Sequence, residues 1–226
     1  MPPKPRFDRE RLQKAALKIV DEKGLNALSM RSLAGVLRTG AMTLYNYVSD
    51  RDALDALIVE AVLAEARWPA PTGDWRDDVH AVATATWRAV RAHPNAIPLI
   101  LTRRGFHEAT LRPAEALLEA LAAGGFRDAA LLAAFRAVHG FIMGFAMITL
   151  APAPGGTVKK PEVMTAVVAA LPADRFPSII EVAQSARTTN PDEVFGAALA
   201  IVLAGLDSAS VKPRPDGRAP ILPARS

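Results

Sequence analysis

From residue 9 onward, apolar side chains return about every three to four positions, the spacing that lines one face of a helix. Leu12, Ala15, Ala16, Ile19 and Val20 mark a first helix over 9–23, opened by the Asp8 carboxylate and stopped at Gly24. Ser29 caps a short second helix over 30–37, whose Leu33, Ala34 and Leu37 face inward. Arg38-Thr39-Gly40 forms a tight turn in which Gly40 supplies backbone freedom. A third helix over 41–47 packs through Leu44, with Val48 just beyond it. Asp50 or Ser49 caps a fourth that reaches about residue 67.

Trp68-Pro69-Ala70-Pro71-Thr72-Gly73 is the clearest break in the pattern, because two prolines and a glycine cannot continue a helix. Beyond it the periodicity predicts helices over 74–92, 95–101, 110–123, 128–150, 174–187 and 191–209, with a shorter one over 161–171. Residues 152–157 read as a loop. The proline-rich, basic ends, 1–7 and 212–226, read as a flexible arm and a disordered tail. The expected division is therefore 1–67, 68–211 and a tail over 212–226. No alternating stretch requires a strand, and alanine and leucine supply most of the apolar content, so the fold class is all-α.

Charge changes this picture little. The formal net charge of +4 suits a polyanionic partner, but acids are mixed among the bases along the first 67 residues. The absence of cysteine excludes disulfides, thiolate zinc sites and cysteine nucleophiles. The first residues show no apolar signal-peptide core, and the apolar stretch 137–154 is interrupted by His139, glycines and prolines. No membrane partner and a cytoplasmic location are the resulting expectations.

Residues 29–48 have the anatomy of a helix-turn-helix, two short helices joined by a tight turn. The outer face of the second helix offers Thr43, Tyr45 and Tyr47 to a DNA major groove, with Thr39 and Met42 beside them. The ordered string Leu33-Ala34, Val36, Thr43-Leu44-Tyr45, Tyr47-Val48, Arg51 and Ala53-Leu54 resembles the tetracycline-repressor family. Ala15-Ala16, Gly24 and Leu28 extend the resemblance back through the first helix, so that it covers residues 8 to about 66. Two positions depart from the family's habit: Tyr47 stands where histidine is common, and Arg51 where lysine is common. Both replacements retain a donor for phosphate. Arg31 resembles the family's base-reading position near the start of the second helix, the alternative being a solvated surface charge. Lys4 and Arg6 either reach the minor groove or belong to a solvated tail.

The resemblance implies a three-helix DNA-binding head joined to a larger helical ligand-binding and dimerisation domain. The second half suits that role. His80, His93, His107 and His139 lack paired metal-ligand spacing, and no phosphate loop or nucleophile elbow is present, so no catalytic constellation is expected. Trp87, Phe106, Phe135, His139, Phe141, Met143, Phe145 and Met147 are candidates for an apolar ligand pocket, or else for plain core. In the string 98–103, Leu99 occupies the place of a metal-binding histidine in tetracycline repressors themselves. The expected effector is therefore metal-independent, with no cofactor and no tetracycline. Gly140 and Gly144 on one helix, and Gly196, Ala200 and Ala204 on another, form small-residue stripes. These suit either the family's four-helix dimer interface or close packing within one chain. The resulting reading is a dimeric repressor released from a palindromic DNA operator by a small apolar effector. The alternative is a helical ligand-binding or scaffold protein without DNA binding.

Overall fold

The computed structural model describes residues 7–102, 108–150, 168 and 170–209. Ten α-helices among them are named here in chain order: α1 (Arg9–Lys23), α2 (Met30–Leu37), α3 (Ala41–Leu44), α4 (Arg51–Ala64), α5 (Trp75–Ala92), α6 (Ile97–Thr102), α7 (Glu108–Ala123), α8 (Asp128–Leu150), α9 (Pro177–Thr188) and α10 (Pro191–Ala209). The expected 161–171 helix, the 152–157 loop, the 212–226 tail, Phe106, Lys4 and Arg6 lie wholly or mostly outside the described residues.

Local chemistry sets the helix starts. Asp8 accepts from the Arg11 amide at 2.8 Å and Asp50 from the Ala53 amide at 2.7 Å, so Asp50 rather than Ser49 caps α4. Ser29 and Ser32 exchange hydrogen bonds reciprocally, each side chain accepting from the other's amide at 2.9–3.1 Å. Asp74 caps α5 instead of belonging to it.

Several boundaries differ from expectation. Gly40 has an extended backbone (φ −79°, ψ 145°), while Arg38 takes the left-handed conformation (φ 52°, ψ 51°). The special backbone position of the turn is thus Arg38, not Gly40. There α2 ends, with the Thr39 amide donating to the Ala34 carbonyl at 3.0 Å. Helix α3 stops at Leu44, because the amides of Tyr47 and Val48 both converge on the Leu44 carbonyl and close a turn. Helix α4 ends at Ala64 instead of near 67, and α9 begins at Pro177, a residue preset for a first helical position. Phe7 belongs to the core, 2% exposed, instead of to a free arm.

Two apolar cores result. The first joins α1 to α4 through Leu12, Val20, Leu33, Leu44 and Ile58, and it extends to Ala89, Ala96 and Leu99. The second joins α5, α7, α8 and α10 through Trp87, Leu121, Val138, Ile142, Phe195 and Leu199. Helix α4 packs against α1 on one side and against α5, α6 and α7 on the other, so it links the two cores. Helix α8 runs unbroken through His139 and both of its glycines, and is long and apolar enough by length and composition alone to cross a membrane. Here it packs on α5, α7 and α10 through Ala134, Val138, Ile142 and Ala146.

At the end of α7, a Cβ added to Gly124 would lie 2.7 Å from ring atoms of Trp75, which itself sits edge-on to Phe126 at 5.5 Å. A rigid indole cannot yield by bending. Gly124→Ala should lower stability by about 1–3 kcal/mol, read as a shift of the urea midpoint at unchanged slope.

Candidate nucleic-acid interface and ligand core

The first site is an outward face mounted on a buried seam. Leu33 and Leu44 are fully buried, and Leu28 and Val48 nearly so, which locks α3 against α2. The side chains between them point away: Met42 is 79% and Tyr45 49% exposed. Arg31 is also exposed, while Thr39 and Thr43 are half-buried. This arrangement holds groups of mixed chemistry on a short, fixed element, as base-edge reading requires. Tyr47 is half-buried and packs edge-on against Phe7, with ring centres 5.9 Å apart.

Arg51, its side chain 51% exposed, is tethered within the chain. Its Nη1 donates to the Leu28 carbonyl at 2.7 Å, and its Nε pairs with Asp55 at 2.8 Å. The Ala53 amide at the start of α4 is served by Asp50. This geometry makes Arg51 a strut between the α1–α2 connection and α4.

Two polar junctions escaped the sequence reading. Glu60 is 4% exposed within α4, and Arg9 forks onto both of its oxygens at 2.8 Å while Gln13 donates at 3.0 Å. An acid at an apolar phase of α4, between Val59 and Ala61, was the available signal. The second junction is His93, 8% exposed at the end of α5. Its Nδ1 lies 2.9–3.0 Å from the Asp21 carboxylate of α1, and its Nε2 2.9 Å from Glu65 just past α4. Burial alone would lower its pKa, but the hydrogen bonds to Glu65 and Asp21 outweigh it and hold the imidazole above its ordinary value. Asn95 adds donations to the Val20 and Asp21 carbonyls at 3.0 and 3.1 Å.

The second site is aromatic. Trp87 stacks on Phe195 (4.9 Å between centres, 6° between planes) and meets Phe145 edge-on at 5.1 Å. Phe141 completes the cluster against Phe145 and Phe195. The Trp87 indole N–H donates to Asp192 at 2.7 Å, and Asp192 also pairs with Arg91. Phe195 was missed because nothing near it in the chain marks it as the Trp87 partner. Phe135 and His139 stack on each other at 5.4 Å, with His139 at the surface. Met143 is half-buried, whereas Met147 is 56% exposed.

The small-residue stripes face outward. A Cβ on Gly140, Gly144 or Gly196 would meet nothing within 4 Å among the described residues, and Ala200 and Ala204 are exposed. Ile148 at 88% and Ile201 at 74% are exposed on the same two helices.

Comparison with known proteins agrees with this architecture. Residues 69–209 match the family model described as the tetracyclin repressor-like, C-terminal domain. An HTH-type transcriptional regulator of Saccharopolyspora erythraea is 37% identical over 142 residues, covering 62% of this chain and 60% of that protein. The HTH-type transcriptional repressor DrrR1 of Streptomyces coeruleorubidus is 33% identical over 146 residues, covering 64% and 54%. The chain therefore matches less than two thirds of the length of these curated relatives. Apo ActR of Streptomyces coelicolor superposes with a TM-score of 0.74 at 28% identity, covering 92% of this chain and 97% of that one. ActR in complex with actinorhodin gives 0.72 at 28%, covering 90% and 98%. A short outward-facing helix on a buried leucine seam, followed by a helical domain matching the family's own model, has one consistent assignment: the chain belongs to the tetracycline-repressor family.

Proposed function

We propose that the protein is a dimeric, ligand-responsive DNA-binding regulator that represses from a palindromic operator and is released by a small apolar effector. One observation carries the reading: α3 buries Leu44 completely while Met42 on it and Tyr45 just past its end stand exposed with Thr43 half-buried beside them, a head suited to present side chains to a groove. Arg31 and Thr39 flank that head on α2 and its turn, and Tyr47 supplies a hydroxyl at its edge. Arg51 holds the head on α4. The relatives' names, a transcriptional regulator and a transcriptional repressor, point the same way.

The outward stripes on α8 and α10, bordered by exposed Ile148 and Ile201, suit a second copy packed helix against helix. Gly144→Leu should hold that copy away and shift sedimentation from dimer to monomer while the helical content stays. The effector site we propose is the neighbourhood of Phe135, His139, Met143 and Met147, with no metal ion required. The complexes of ActR with actinorhodin and (S)-DNPA make those two compounds the first probes.

The test is selection from random duplexes by the full chain. The expected product is an inverted repeat whose half-site centres lie about 34–36 Å apart, or a multiple of that. Affinity should fall steeply as salt rises, because phosphate contacts release counterions. Recovery of no symmetric sequence would refute the reading.

A further inference from the structure

The reading head meets the sensor half at a buried imidazole held between two carboxylates. Asp21 closes α1, Glu65 follows α4, and His93 ends α5, so three elements from both halves converge on one ring. A neutral imidazole has a single N–H, and its other nitrogen presents a lone pair. Two carboxylates at 2.9 Å, one on each nitrogen, are both satisfied only by the doubly protonated ring. We propose that protonated His93 is the pin that fixes the reading head to the sensor domain, so that DNA affinity is lost as the pin deprotonates. This rests on the regulator reading above.

The surrounding charges leave the pin in control. The hollow between α1 and α4 beside His93 is also lined by Glu10, Lys14, Lys18 and Glu22. Lys14 pairs with Glu10 at 2.5 Å and Lys18 faces Glu22 at 3.8 Å, so these charges compensate one another along α1. From α4 the charged group facing the ring is Glu65, and from the turn after α5 the polar group is Asn95, whose amide is spent on the Val20 and Asp21 carbonyls. Arg67, His80 and Arg88 line the neighbouring hollow behind Glu65, and the imidazolium faces Asp21 and Glu65 as its direct counter-charges. Its raised pKa gives the sign. The stabilisation is fully present below the ordinary value near 6.5 and is lost as pH rises through the raised value in the folded protein. A head freed at high pH must be re-ordered when two heads meet two half-sites, and affinity pays that ordering cost.

The full chain is titrated from about pH 5.5 to 9 by NMR of its imidazoles. His93 is assigned by the signal that His93→Gln removes. Affinity for the selected duplex is followed over the same range. Expected are a His93 pKa above about 6.5, and an affinity that falls about fivefold or more through that pKa in the wild type. The His93→Gln profile should be flat by comparison, and Asp21→Asn and Glu65→Gln should each bring the His93 pKa down. A His93 pKa at or below the ordinary value, or parallel affinity profiles for wild type and His93→Gln, would overturn the pin. If no duplex is selected at all, the regulator reading fails separately, and thermal unfolding still judges the pin. The wild-type advantage over His93→Gln must then be largest below pH 6.5 and shrink above the raised pKa, and a constant gap refutes it.

Discussion

Tyr45→Ala and Met42→Ala are expected to weaken binding to the selected duplex by about 1–3 kcal/mol each, roughly 5- to 150-fold, while the fold and the sedimentation behaviour stay unchanged. Met42 is 79% and Tyr45 49% exposed, so truncation of either opens no enclosed cavity. The neighbouring Leu44→Ala should behave oppositely. Leu44 is fully buried, and its loss should cost about 2–5 kcal/mol of stability. Anisotropy with the selected duplex, set beside thermal unfolding, separates the two effects. Loss of stability in Tyr45→Ala, or unchanged affinity in both exposed variants, would place the reading face elsewhere.

The largest stability effect is expected in the second core. Trp87 is 1% exposed, stacked on Phe195 and edge-on to Phe145, with its N–H on Asp192. Trp87→Ala should cost about 3–5 kcal/mol, the loss of a large ring together with the cavity that it leaves. Trp87→Phe should cost less, since it keeps the stack and forfeits mainly the hydrogen bond to an Asp192 that retains Arg91. The denaturant midpoint measures both. A cost under about 1 kcal/mol for Trp87→Ala would mean that the ring lines an open ligand space instead of filling a core.

Features of the fold that depend on near neighbours were legible in the sequence. The caps at Asp8 and Ser29 act within three residues, and the inward Leu33, Leu37 and Leu44 follow from helical period. The turn was half legible: a break at 38–40 was readable, but which residue takes the left-handed backbone was not. Glycine is the default there, yet Arg38 carries it. The short third helix was legible too, but its end was not, and Tyr45 and Tyr47 lie past Leu44 instead of on the helix. What Arg51 does was not, because its partner carbonyl at Leu28 lies on another element. The same holds for His93, whose partners Asp21 and Glu65 are distant in the chain, and for the Trp87–Phe195 stack. Pairings of that kind arise from tertiary packing, on which local periodicity is silent.

In the proposed regulator, effector and DNA favour different arrangements of the same protein, and reciprocal calorimetry measures the coupling between them. The selected duplex is titrated into the protein with and without the compound that releases it, and that compound is titrated with and without the duplex, with EDTA present throughout. Linkage requires that the effector weaken duplex binding by the same factor by which duplex weakens effector binding. A shared factor of about 5–150 is the predicted result. Equal effector affinities in the presence and absence of duplex would mean that no switch couples the two sites, even with both occupied.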